Sequence, residues 1–220
     1  MQQILMMRTF YPGFVMLIFW GCTSSPPLAD RYSPSTPTSE DSVYSGVYAP
    51  WEGHWEGVFS IYTDPQGQRE GLSQPRISDK EILDSLGLVK TSEVSVKQFY
   101  QSVSPFVQKV SIEDSYLEKD GSIRVVKSSG YNTVEGGKLV CLVQKPDDRV
   151  IHSGSLLDKH IIIWERSISA PKNIEYFYEQ VELDTYYILG WGYYGEDDPS
   201  LSPKTWFYGE YHRPDLYETE

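Results

Sequence analysis

The amino-acid sequence predicts an all-β domain built as an antiparallel up-and-down β-barrel, with a two-sheet β-sandwich as the alternative. From Pro50 onward, short runs rich in β-branched and aromatic residues recur between turn residues, which is the pattern of β-strands. Two turns are explicit in Asp64-Pro-Gln-Gly67 and Lys119-Asp-Gly121. The helical crossovers that a parallel sheet requires are missing from the pattern, so consecutive strands are expected to pair.

The alternating runs predict nine strands, at 54–62, 106–117, 122–134, 138–144, 149–156, 159–166, 172–183, 185–194 and 204–213. A further stretch, 91–104, is ambiguous because Val94, Val96 and Phe99 fit either the strand period or the helix period. This stretch is predicted to be a strand or a second short helix.

One helix is predicted between Ser78 and Gly87. Ser78 and Glu81 have the spacing of a capping box, and glycine is common just beyond the last turn of a helix. The predicted barrel therefore carries one or two short helices.

The charge balance limits the partners of the chain. The formal net charge is −12, and removal of residues 1–21 would take away Arg8 and no acidic residue. Binding to nucleic acid or to anionic lipid requires a basic face that releases counterions. We therefore expect no nucleic acid partner, and a membrane contact would have to come from a lipid anchor.

The N-terminus has the pattern of a secretory signal. An apolar run from Phe10 to Trp20 follows Arg8 and ends at Gly21-Cys22, too short to span a bilayer but long enough for a signal peptide. The end of this run resembles the lipobox of bacterial lipoproteins, which implies cleavage after Gly21 and lipidation of Cys22. The alternative is an ordinary signal peptide or a membrane-embedded N-terminus with an incidental cysteine.

Residues 22–47 are predicted to form a tether between this anchor and a domain at 48–220. More than half of residues 23–50 are Ser, Thr or Pro, a composition that buries too little apolar surface to fold on its own. The second cysteine, Cys141, lies in an apolar run, so it is predicted to be a buried thiol without a disulfide.

The two ends of the domain resemble the lipocalin-type barrel. Gly53-His-Trp55 opens the first predicted strand, and Arg213 follows the last one. In that family a basic residue of the last strand packs over the tryptophan of a Gly-x-Trp motif in the first strand. The resemblance therefore implies that Trp55 and Arg213 close the bottom of a barrel.

Alternation along the strands supplies the candidate ligand-binding residues Phe59, Trp191, Tyr193 and Tyr211. Phe59 shares the face of Trp55, and Tyr211 shares the face of Arg213. Trp191 and Tyr193 alternate with Gly190 and Gly192, and glycines inside a strand mark a bend, a bulge or a close approach. This strand would border a cavity, form a stacking platform for sugar rings, or be a kinked strand covered by the helix at 78–87.

No catalytic residue, metal site or cofactor is predicted. The four histidines lack the spacing of metal ligands, and no nucleophile elbow is present. A single strand histidine as a haem ligand is a remote alternative. Several carboxylates would be available for acid–base chemistry on sugars, namely Glu175, Glu179, Glu182 and Glu210.

These observations predict a membrane-anchored lipoprotein of the cell envelope that faces the periplasm or the exterior, at the outer membrane if the organism has one. Its barrel is expected to bind a small apolar or aromatic ligand. A carbohydrate-binding or carbohydrate-active protein with an aromatic and carboxylate cleft is one alternative, and a structural or partner-binding protein with a filled barrel is another. The directions of Trp191 and Tyr193 separate the first two, because a cavity binder needs them inside.

Overall fold

The computed structural model describes residues 36–70, 80–169 and 172–214. They form a closed barrel in which each strand pairs antiparallel with the next and β10 pairs with β1. The predicted fold is confirmed, and the two-sheet alternative is wrong. The strands are β1 (Gly53–Thr63), β2 (Val89–Ser104), β3 (Val107–Leu117), β4 (Ile123–Glu135), β5 (Lys138–Gln144), β6 (Arg149–Asp158), β7 (Ile161–Ser169), β8 (Lys172–Glu182), β9 (Thr185–Tyr194) and β10 (Thr205–His212).

The ambiguous stretch 91–104 lies within strand β2. Val94 and Val96 are buried, whereas Ser95 and Lys97, which follow them in turn, are exposed, so the period of two applies. Phe99 points to the outer side of the barrel, where its ring stacks on that of His54 at 4.2 Å between centroids. The apolar residues of this stretch therefore serve two faces of the sheet, which is why they also fit a helical period.

The predicted helix is present as α1 (Lys80–Ser85) in the long connection between β1 and β2. Gly87 follows it in the left-handed region, with φ of +63°, a conformation that glycine adopts without steric cost. Ser78 of the predicted capping box lies outside the described residues. Leu83 is buried and anchors the helix on the outer wall of the barrel. Within the described residues, no helix is long and apolar enough to cross a membrane.

Residues 41–51, which we call the N-terminal plug, cover one end of the barrel with two 3-10 turns, Asp41–Tyr44 and Ala49–Trp51. The Tyr48 hydroxyl donates to the carbonyl of Thr133 at 2.6 Å, and the Gly46 amide donates to the carbonyl of Pro105 at 2.8 Å. Because Val47 and Tyr48 are buried, the last part of the segment expected to be tether packs on the barrel.

Trp55 and Arg213 meet at the same end of the barrel. Trp55 is fully buried, and its Nε1 donates to the carbonyl of Trp51 at 2.8 Å. The Arg213 guanidinium lies over the indole ring of Trp55, 4.2 Å from the centroid. First strand, last strand and plug are therefore joined at one point.

Candidate ligand-binding site in the barrel interior

The inward-facing side chains leave a cavity of about 210 Å³, which we call the barrel cavity. A cavity of roughly 150 Å³ is large enough to hold benzene. The barrel cavity is therefore large enough for one ring with a short side chain. Its apolar lining includes Phe59, Ile112, Val143, Val150, Phe177 and Ile188.

Three phenylalanines form one aromatic wall inside the barrel. The ring of Phe207 is 5.8 Å from that of Phe59 and 5.3 Å from that of Phe177. Phe177 lies against the backbone of β9 at Gly190, where an added Cβ would be only 2.6 Å from Cδ1 of the ring. Gly190 therefore permits the close approach of the ring, as expected of a glycine within a strand.

The predicted ligand-binding residues do not form one site. Phe59 lines the barrel cavity. Tyr211 is also inside but belongs to the core near the plug, with its ring 5.1 Å from that of Tyr186. Trp191 and Tyr193 point outward and lie in an outer cluster with Leu83 of α1, so they do not line the interior. Trp191 and Tyr193 lie on a strand that is covered by the helix, which was the third expectation for this segment.

The side chains on the inner side of β9 explain why Trp191 and Tyr193 point outward. The positions of Gly190 and Gly192 are occupied there by the rings of Phe177 and Tyr194. The bulky face of the strand therefore turns outward. Trp191 is 1% exposed, so its ring is not an open platform for a sugar.

A carboxyl group lies in the apolar lining. Glu179 is on the inner face of β8, and its register neighbours are Ile162 and Ile188. Burial raises the pKa of Glu179 to about 7, although hydrogen bonds from the side chains of Trp164 and Tyr186 act in the opposite direction. The part of this side chain that is accessible faces the barrel cavity, so a bound molecule would contact it.

An amide group on the opposite wall also lines the cavity. Gln108 Nε2 donates to the carbonyl of Tyr48 at 3.0 Å, which leaves Gln108 Oε1 as an acceptor for Asn132 Nδ2 at 3.2 Å. This chain fixes the orientation of the Asn132 amide. Asn132 is 5% exposed, and its Oδ1 has no hydrogen-bond partner in the part of the chain that the structure describes.

Farther along β8, Glu175 is held by three side chains. The Tyr194 hydroxyl donates to Glu175 Oε1 at 2.8 Å, and Arg166 and His152 each place a nitrogen 3.7 Å from Oε2. Burial alone would raise the pKa of Glu175, but the nearby His152, the hydrogen bond from Tyr194 and the charge of Arg166 outweigh it and lower the pKa. Glu175 is therefore a partnered carboxylate, unlike Glu179.

The other candidate groups for chemistry are dispersed. Glu182 and Glu210 lie in the register positions of the outer face. Cys141 is a free cysteine that lines the barrel cavity, and burial raises the pKa of its thiol well above the usual range, which favours the unreactive thiol form. Within the described ranges, no three His, Cys, Asp or Glu side chains are grouped so that they could hold a metal ion.

A larger depression of about 570 Å³ includes His54 on the outer face and shares Gln98, Ile112 and Lys145 with the lining of the barrel cavity. Four of its charges form two pairs, since Lys97 Nζ is 3.2 Å from Glu56 Oε1 and Lys127 Nζ is 3.0 Å from Glu113 Oε2. Exposed pairs of this kind contribute little energy and are screened by salt. We therefore take the barrel cavity as the candidate site.

The fold and its cavity define a β-barrel with room for a small ligand. No protein-family model and no curated protein matches the chain. Among solved structures, it is similar to a redesigned β-barrel, b11L5F_LGL, with a TM-score of 0.34 and 12% identity over 78% of this chain and 96% of that one. It is similar to EF1p2_mFAP2b bound to DFHBI at a TM-score of 0.34 and 12% identity, over 78% of this chain and 99% of that one. The lipocalin resemblance stays a prediction.

Proposed function

We propose that this chain is a lipoprotein of the cell envelope whose barrel cavity binds a small, mainly apolar or aromatic ligand. The aromatic wall of Phe59, Phe177 and Phe207 is the observation that carries the proposal. Apolar pockets with a few polar groups are the usual form of small-molecule sites, and the barrel cavity has this composition.

The membrane part of the proposal depends on the sequence. Cys22 and the apolar run before it lie outside the described residues, and the pattern at Gly21-Cys22 supports a lipid anchor. The acidic balance of the chain supports the same view, because a net charge of −12 disfavours attachment to anionic headgroups through charge.

A binding experiment tests the cavity. Calorimetric titration of the full chain in detergent with ethylbenzene should show saturable binding with one site. Val150→Trp should weaken this binding at least tenfold, because Val150 lines the barrel cavity and a larger side chain would fill it. Ile151→Trp is the matched control, since Ile151 is the next residue of the same strand and 46% exposed on the outer face.

The two variants also separate occupancy from folding. Both should retain the cooperative unfolding transition of the wild-type chain in urea. Absence of ethylbenzene binding in the wild-type chain, or equal loss in both variants, would show that the interior is not a binding site.

A further inference from the structure

We propose that the barrel cavity selects ligands that carry a hydrogen-bond donor at one end, specifically a small amine whose protonated nitrogen lies between the Glu179 carboxylate and Asn132 Oδ1. This inference rests on the proposed function and deepens it, because it names the chemical class of the ligand. The apolar body of the amine would lie against the aromatic wall.

Asn132 has an acceptor atom that is not used within the described residues. Its amide orientation is fixed by the hydrogen bonds that run through Gln108 to the carbonyl of Tyr48. Asn132 lines the barrel cavity, and its remaining oxygen, Oδ1, is buried and has no partner among the described residues. A buried polar atom without a partner costs free energy, and a ligand that donates a hydrogen bond would recover it.

The carboxyl of Glu179 has hydrogen-bond partners but no cationic partner among the described residues. Within residues 36–70, 80–169 and 172–214, no Lys or Arg side chain forms an ion pair with it, in contrast to Glu175. A protonated amine would supply the missing positive charge in a site of low dielectric, where charge-assisted hydrogen bonds are strong.

The titratable groups around Glu179 reinforce this assignment. Those of the plug and of β2, β5, β9 and β10 are hydroxyls or a thiol, and an ionised Glu179 raises the pKa of each of them. The remaining groups on the same cavity are the imidazole of β6, which lies beside Glu175, and the ammonium of Lys145, which follows β5 and lies toward the other end of the barrel. In order along the chain, these groups are Tyr48, Tyr100, Cys141, Lys145, His152, Tyr186 and Tyr211.

The hydroxyl donors at the Glu179 end of the cavity already have acceptors within the protein. The Tyr100 hydroxyl donates to Gln98 Oε1 at 3.0 Å, and the Tyr186 side chain is hydrogen-bonded to Glu179. These hydroxyl protons are already committed, so the end of the cavity at Glu179 presents acceptors, whereas Lys145 lines the cavity toward the other end of the barrel. A ligand headed by a carboxylate or phosphate would meet a second acceptor and a second negative charge.

The test uses four probes of similar size, namely 2-phenylethylamine, 2-phenylethanol, ethylbenzene and 3-phenylpropionate. Each is titrated calorimetrically into the full chain in detergent at pH 8, where Glu179 with a pKa of about 7 is mostly ionised. The amine should bind at least tenfold more tightly than ethylbenzene, and 3-phenylpropionate should bind more weakly than ethylbenzene. At pH 5.5 the affinity for the amine should fall at least tenfold, whereas that for ethylbenzene should not change.

Two variants of one strand locate the head of the ligand. Glu179→Gln should remove the preference for the amine and its pH dependence while ethylbenzene still binds, which also shows that the variant is folded. Glu175→Gln is the matched control, because Glu175 is on the same inner face of β8 but already has three partners. It should leave the preference intact.

Three results would overturn the inference. Equal affinity for the amine and ethylbenzene would remove the donor-headed ligand and leave the proposed function standing. Loss of the preference in Glu175→Gln instead of Glu179→Gln would place the head elsewhere. Failure of all four probes to bind would remove the proposed function together with this inference.

Discussion

The guanidinium of Arg213 lies 4.2 Å above the indole ring of Trp55 and joins the two ends of the barrel sheet. Its NH1 also donates to the carbonyl of Glu52 at 2.7 Å, while the indole Nε1 donates to the carbonyl of Trp51 at 2.8 Å. Both carbonyls lie where the N-terminal plug meets β1. The contact therefore links barrel closure to the covering of the barrel end.

The first prediction is that Trp55 and Arg213 are energetically coupled. Trp55→Ala should lower the free energy of unfolding by about 3–5 kcal/mol, the usual loss for a large buried aromatic. Arg213→Ala should cost less, because its side chain is 38% exposed. A double-mutant cycle from urea unfolding should give a coupling of about 0.5–2 kcal/mol, as expected for a cation over an aromatic ring.

A second cation and ring pair supplies the control for this cycle. Arg124 lies 4.3 Å over the ring of Tyr116, at the end of the barrel away from the plug. Arg124→Ala combined with Trp55→Ala should be additive within about 0.5 kcal/mol, because distant sites act independently. Additivity of the Trp55 and Arg213 changes as well would contradict the linkage.

The second prediction concerns the pH dependence of stability. Burial raises the pKa of Glu179 in the folded chain to about 7 from an ordinary value of 4.5. Between pH 4.5 and pH 7 the folded chain holds the Glu179 proton, whereas the unfolded chain has released it. The contribution of Glu179 to stability is therefore complete below pH 4.5 and is lost as the pH rises through 7. The loss amounts to about 3 kcal/mol at pH 8.

Glu179→Gln should remove this pH-dependent loss of stability. The free energy of unfolding of the wild-type chain minus that of Glu179→Gln should fall between pH 4.5 and pH 8, measured by urea unfolding at closely spaced pH values. The exposed Glu182→Gln on the same strand should follow the wild-type chain. A constant difference between wild type and Glu179→Gln over this range would show that the carboxyl is solvated.

The third prediction concerns the start of the compact domain. Limited proteolysis followed by mass spectrometry should cut within residues 23–40, where the composition predicts an open chain, and leave a core that begins near Asp41. Asp41 is buried and accepts the Gly137 amide at 2.8 Å. Asp41→Ala should therefore shift the first protected residue toward Gly46. An early cut inside β3 to β10 would argue against a single compact unit.

The fourth prediction is that Cys22 carries the membrane anchor. Cys22→Ser should move the protein from the membrane fraction to the soluble fraction, because the lipidated residue would be lost. Cys141→Ser, which removes the other cysteine from the interior, should leave the fractionation unchanged. Membrane association of Cys22→Ser equal to that of the wild-type chain would exclude this anchor.

The strands were predictable because alternation and turn residues are local signals. Predicted strand 138–144 coincides with β5, and 185–194 coincides with β9. Alternation also grouped Trp191 with Tyr193, but it does not state which face turns inward. That choice depends on Phe177 and Tyr194, which fill the inner side of β9 from β8 and from β9 itself.

The cavity groups were harder to predict because their character depends on partners from other strands. Glu175 and Glu179 look alike in the sequence, four residues apart on one face of β8. Glu175 meets Arg166 and His152, whereas the register of Glu179 brings Ile162 and Ile188. Gln108 Oε1 accepts a hydrogen bond from Asn132 Nδ2 and so orients the amide, whose Oδ1 has no partner among the described residues. No pattern within a single strand encodes these pairings.

The N-terminal plug makes the two ends of the barrel different, one covered by the plug and one not. The chain reaches the barrel at the covered pole, while Lys145 and His152 of the cavity lining lie toward the opposite pole. A lipid on Cys22 would therefore be joined to the molecule at the covered pole, and the pole that carries Lys145 would lie at the far side of the barrel from the point of attachment.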